Sequence, residues 1–144
     1  MQGHVEIARD ADTVTLRAFA QTRFELVENA SEAMFSVGYD LVSIPPTYSR
    51  PLVAPGDALP ELLGAWLSEL LALGIEEGIV WSQATVDRLE VGGVQGSAAG
   101  LFTADAPRHG PIVTGVRSVG TVVEVPDGFW IDVRMELDTG LRLV

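Results

Sequence analysis

Two stretches with helical periodicity stand at set places among segments that alternate like strands. This order limits the fold more than any other feature of the chain. The first covers residues 24–35, with Leu26, Val27, Ala30, Ala33, Met34 and Val37 recurring at a helical period. Thr22 before it and Glu25 in its first turn have capping-box spacing, so hydroxyl and carboxylate can satisfy amides of the first turn. Gly38 follows and can take the left-handed conformation that stops a helix. The second helix is predicted over residues 59–73, with Pro60 in its first turn and Gly74 just past its end. Leu59, Leu62, Leu63, Trp66, Leu67, Leu70 and Leu71 give it a broad apolar stripe, suited to a central helix lying across a sheet.

The remaining chain reads as strands. Residues 4–8 alternate with Val5 and Ile7 on one side, and residues 13–20 alternate with Val14, Leu16 and Ala18 inward. Both read as half-buried, joined by the polar turn Arg9-Asp10-Ala11-Asp12. Residues 39–57 hold four prolines and read as a connector with one short strand near 50–54. Residues 79–91 and 94–102 flank Gly92-Gly93, a hairpin signal. Residues 104–110 read as a loop. Residues 112–125 and 129–137 flank Pro126-Asp127-Gly128, a turn. In the last strand Ile131, Val133, Met135 and Leu137 share one face, and Trp130, Asp132, Arg134 and Glu136 the other. The order predicts one α+β domain over residues 1–144, mostly antiparallel, with both helices packed on one sheet.

Composition excludes several chemistries. The chain has no cysteine, hence no disulfide, thiolate ligand or thiol nucleophile. Its nine basic residues are all arginine, which removes Schiff-base and phosphate-loop lysine chemistry. With 20 acidic residues the net charge is −11, a field that repels RNA and DNA, so no direct tight nucleic-acid binding is expected. No apolar run is long enough for a membrane span. The N-terminus lacks a basic-then-apolar leader and reads as a cytoplasmic start.

Few residues suggest a site. The glycines from Gly92 to Gly100 (Gly92, Gly93, Gly96, Gly100) are followed by no helix or lysine, so they read as hairpin glycines rather than a phosphate loop. Trp81 and Trp130 read as half-buried strand residues. His109, in a Pro-Arg-His-Gly-Pro loop, is a surface histidine or a phosphate or metal ligand. The better candidate is a hard-metal site. Asp10 and Asp12 lie in the first turn, and Glu136 lies on the polar face of the last strand with Asp132 behind it. Carboxylates converging from a turn and a strand end suit Mg²⁺ or Ca²⁺, which take oxygen ligands. The same residues also have a plainer role, since turn aspartates cap backbone amides and outer-face acids are solvated.

These residues resemble the archease family, the small proteins that assist the GTP-dependent RNA ligase of the RtcB type. The likeness spans about residues 3–137. The family's first turn, His-Thr-Ala-Asp, is similar to Arg9-Asp10-Ala11-Asp12. Its Phe-Glu-Asn-Ala-Ala-like helix is similar to Val27-Glu28-Asn29-Ala30-Ser31. Its Leu-Leu-x-x-Trp-Leu-x-Glu-Leu-Leu helix is matched by residues 62–71, its Arg-His by Arg108-His109, and its closing strand by residues 133–137. The resemblance implies a protein cofactor, not an enzyme, that speeds guanylylation of an RNA ligase in tRNA splicing and RNA repair. It also implies a divalent ion, Mg²⁺ or Ca²⁺, at an acidic tip, with Asp12 and Glu136 as ligands and Asp10 as a third or outer one. Four positions differ from the family pattern: Arg9 replaces a histidine, Val116 a lysine, Thr121 a histidine and Glu136 an aspartate.

Two other functions are compatible with the sequence. One is a binding module that keeps this fold, has lost ligase activation and serves a different protein partner. The other is a small hydrolase pairing Asp12 with His109 as general acid and base.

Overall fold

The computed structural model describes residues 5–90, 92–106, 108 and 110–138. Two antiparallel sheets and two helices make up the α+β domain. Strand β1 (Val5–Asp10) pairs with β2 (Thr13–Ala20), and Asp10 opposes Thr13, so the turn between them is just Ala11-Asp12. The first strand thus runs two residues further than its alternation predicts. It is also exposed throughout, because it forms the sheet edge, whereas Val14, Leu16 and Ala18 of β2 are fully buried.

Helix α1 (Arg23–Ser36) starts as predicted: Thr22 Oγ1 accepts the Glu25 N–H at 3.1 Å. The Glu25 carboxylate accepts the Thr22 hydroxyl rather than a free amide. At the other end Gly38 is not left-handed. Its role is steric, since a Cβ there would lie 2.9 Å from the Pro111 carbonyl oxygen. Helix α2 (Leu59–Glu77) has Pro60 in its first turn and ends at Gly78, which is left-handed at φ 69°. Gly74 is therefore inside the helix, one turn before the true stop.

The connector between the helices contains a full strand, β3 (Tyr48–Gly56). Pro51 and Pro55 are tolerated because β3 lies at a sheet edge, where missing N–H groups interrupt no second ladder. Strands β4 (Ile79–Glu90) and β5 (Gly92–Phe102) complete a three-stranded sheet of order β3-β5-β4. Glu90 pairs with Gly93, so Gly93 is already in the ladder rather than in the turn, and Gly92, the first residue of β5, has φ 100°. Gly96 and Gly100 are not turn residues. They lie where the carbonyls of Thr85 and Val80 occupy the space of a side chain.

The other sheet is ordered β1-β2-β8-β6. Strand β6 (Ile112–Val119) is separated from the short β7 (Val123–Val125), where one continuous strand was predicted. Both pair with β8 (Gly128–Asp138), and the gap is bridged by Gly120 N–H donating to the Asp132 carbonyl at 2.8 Å. Strand β8 is thus held on both edges, and Ile131, Val133 and Met135 are fully buried.

The helices lie on the inner face of both sheets: α1 packs on β2 and β4, and α2 on β3 and β6. Between the helices, Trp66 Nε1–H donates to Ser31 Oγ at 2.8 Å, and Ser31 donates onward to the Val27 carbonyl at 2.6 Å. Trp81, expected half-buried, is buried against α2 and donates to the Leu70 carbonyl at 3.0 Å. Trp130 is half-buried, as expected. No described helix is long and apolar enough to cross a membrane.

Candidate acidic tip

The β1–β2 turn and the end of β8 meet. Thr13 opposes Glu136 in the ladder, and the Asp12 carbonyl accepts the Leu137 N–H at 2.9 Å. Residues more than 120 positions apart thereby share one end of the domain. The turn is built locally as well: Asp10 Oδ1 accepts the Ala11 N–H at 2.8 Å, the cap expected of a turn aspartate. Asp10, Asp12 and Glu136 are all exposed.

Glu136 opposes Gly115 of β6, and its Oε1 lies 3.1 Å from where a Gly115 Cβ would be. The carboxylate thus lies across the neighbouring strand in space that only glycine leaves free. The ladder shifts register between Val113 and Gly115, which turns Thr114 outward beside it. Gly115 was not singled out in the sequence, although an isolated glycine in a strand is the usual mark of such an approach.

Asp132 does not join this group. It forms a two-bonded ion pair with Arg17 across the β2–β8 ladder, at 2.8 and 3.0 Å, and Arg17 lies over the Trp130 ring at 3.9 Å. The guanidinium is held above its ordinary pKa chiefly by that hydrogen bond to Asp132. Arg9 has a structural contact. Its Nη2 donates to the Val37 carbonyl at 3.1 Å, closing the C-terminus of α1, whose last turn has no basic residue of its own. His109 lies outside the described residues, and so does any pairing of it with Asp12.

The tip offers exposed carboxylate oxygens, donors of the kind Mg²⁺ and Ca²⁺ take. Among the described residues, no three or more His, Cys, Asp or Glu side chains come together as a set able to hold a metal ion. Asp12 and Glu136 fit a hard cation in kind, and in number they leave most of its coordination to water or to a partner.

Other acids have work elsewhere that periodicity does not reveal. Glu28 and Glu32 project from α1 onto the outer edge of β4, where Glu28 accepts the Val86 N–H at 2.7 Å and Glu32 the Ala84 N–H at 3.3 Å. Burial raises the Glu32 pKa, and the neighbouring Glu28 charge adds to the rise against the Ala84 bond.

Two antiparallel sheets and two helices place the chain in a class of small α+β domains. The Archease protein family (MTH1598/TM1083) matches residues 5–120, and the chain belongs to that family. Protein archease of Methanopyrus kandleri is 33% identical over 132 residues, covering 88% of this chain and 92% of that protein. Protein archease of Methanosarcina barkeri is 37% identical over 76 residues, 53% of this chain and 52% of that protein. The solution structure of Methanobacterium thermoautotrophicum Protein 1598 shares the fold, with a TM-score of 0.71 at 22% identity, covering 93% of this chain and 97% of that one.

Proposed function

We propose that this chain is a protein cofactor of a GTP-dependent RNA ligase of the RtcB type, acting through its acidic tip. The protein itself carries out no chemistry in this reading. It docks on the ligase and presents carboxylates beside the nucleotide site, in the cytoplasm. The observation that carries the reading is the Asp12–Leu137 main-chain bond in a chain of the archease family. It brings the two acids that match the family's tip residues to one end of the domain.

Asp12 and Glu136 would hold a divalent cation, Mg²⁺ or Ca²⁺, with Asp10 as a further or outer ligand. When bound, the ion supplies positive charge for phosphate oxygens. The chain's own part is to fix the carboxylates: the β1–β2 turn holds Asp12, the β8 ladder holds Glu136, and Gly115 leaves room for its head. The remaining coordination positions are left for water and for the ligase. The test is guanylylation of the cognate ligase with and without this chain. Stimulation that Asp12→Ala reduces at least about tenfold supports the reading. No stimulation, or stimulation untouched by Asp12→Ala, removes it.

A second reading keeps the fold and replaces the ligase with another protein partner. Val116, Thr121 and Arg9 favour it, since each departs from the family pattern near the tip strands and Arg9 is engaged by Val37. Recovery of a non-ligase partner in a pull-down, with no effect on guanylylation, selects it.

A further inference from the structure

A cavity of about 380 Å³ opens at the end of the domain where both helices finish. Met34 and Phe35 of α1, Leu71 and Ile75 of α2, Ile79 of β4 and Ile112 of β6 line it. Gly38, Gly74 and Gly78 form part of the wall and place no side chain in the space. Such a wall gives water few hydrogen-bond partners, so an apolar group entering it gains by burial. Ile75 at the lip is 77% exposed, a large aliphatic side chain in water beside an apolar hollow. The volume is at the small end of ligand-holding sites and suits one bulky side chain rather than a long helix face.

The surroundings select the charge of what enters. Glu76 follows Ile75 on α2, Asp105 stands two residues after Thr103 at the mouth, and both are exposed. Thr114, also at the mouth, lies 3.5 Å from the Glu136 carbonyl through its Oγ1, so the acidic tip adjoins the opening. Of the nearby cations, Arg50 is paired with Glu77 at 2.7 Å, while Arg9 and Arg108 donate to the Val37 and Gly110 carbonyls and keep their charge, so the acids at the rim and the tip set the sign of the field. In a chain of net charge −11 this field draws cationic segments.

We infer that the cavity is a socket for a bulky apolar side chain on a partner protein segment flanked by lysine or arginine. A buried anchor inside a charged rim is the arrangement that concentrates binding energy in protein interfaces. The inference needs no metal ion and survives if the tip binds none.

The experiment titrates a synthetic peptide, one phenylalanine between two Lys-Arg pairs, into the full chain and follows the amide NMR signals. Saturable shifts centred on Ile75, Thr103, Ile112 and Thr114 are expected. Affinity should fall about tenfold when the peptide phenylalanine becomes serine, and about tenfold for Ile75→Gln, whose exposed position leaves the fold intact. Equal binding of the serine peptide, or shifts centred elsewhere, would overturn the socket. So would the same signals shifting without peptide on concentration, which makes a second copy the occupant. The same shifts on removal of residues 139–144 would make the chain's own end the occupant, and would also overturn it.

Discussion

The Asp12 carbonyl accepts the Leu137 N–H at 2.9 Å, so the first turn of the chain is sewn to the end of its last strand. This bond extends the β2–β8 ladder by one step beyond the Thr13–Glu136 pair. The acidic tip therefore rests on a strand paired on both edges. Loop residues placed on a rigid scaffold are the usual carriers of function.

The buried relay from Trp66 through Ser31 to the Val27 carbonyl links the two helices. Ser31→Ala leaves the indole N–H without a partner in a fully buried site and should lower stability by about 1–3 kcal/mol. Trp66→Ala also opens a cavity and should cost about 3–5 kcal/mol. Urea unfolding midpoints would measure both. Serine loss with no change in midpoint would mean the relay contributes nothing.

Gly74→Ala should reverse the ordinary helix preference. An alanine in a helix interior normally gains about 1 kcal/mol over glycine. Here the added Cβ would stand 2.9 Å from the Ile79 carbonyl oxygen and 3.2 Å from Trp81 Nε1. Overpacking of this kind destabilises by about 1–3 kcal/mol, and thermal melts should show a lower Tm. A raised Tm would mean that α2 and β4 separate freely.

Glu32 gives the fold a pH dependence. Its pKa is raised above the ordinary 4.5 by burial, with the Glu28 charge adding to the rise. Above pH 4.5 the folded chain therefore keeps a proton that the unfolded chain has lost. The contribution of this site to stability falls as pH rises from 4.5 through the folded value and is then constant. Glu32→Gln stays neutral and its amide oxygen can still accept the Ala84 N–H. The variant should gain stability relative to the parent between pH 4 and pH 7, measured by denaturant unfolding. Parallel curves for the two proteins would count against this origin.

The helices were legible because capping, period and proline placement agree at Thr22, Leu26 and Pro60. The last strand was legible because Ile131, Val133 and Met135 alternate against polar neighbours. What failed depended on contacts distant in sequence. Gly38 and Gly74 look like helix stops locally, yet each is required by a strand that passes close to it. The short strand expected near residues 50–54 extends over residues 48–56, because an edge position tolerates its two prolines. Val5 and Ile7 alternate like core residues and still lie at a sheet edge in solvent. At the tip, Asp12 and Glu136 were expected to converge although alternation sets only the face of a strand and not its neighbour, and the Asp12–Leu137 bond shows their backbones side by side. Arg9, Gly115 and the edge-capping pair Glu28 and Glu32 carry no periodic signal at all.

Removal of metal supplies a further check on the tip. In the ligase assay, a chelator should abolish the stimulation by this chain, and added Mg²⁺ or Ca²⁺ should restore it. Stimulation that persists in excess chelator would separate ligase docking from ion binding.

Paramagnetic broadening by Mn²⁺, read residue by residue in amide NMR spectra, tests the shared tip most directly, since it locates even a weakly held ion. The signals of Asp12, Gly115 and Leu137 should fade first, recover with chelator, and persist in Asp12→Asn and Glu136→Gln. Broadening spread evenly over the acidic surface, or centred away from these three residues, would contradict the assignment of Asp12 and Glu136 as joint ligands.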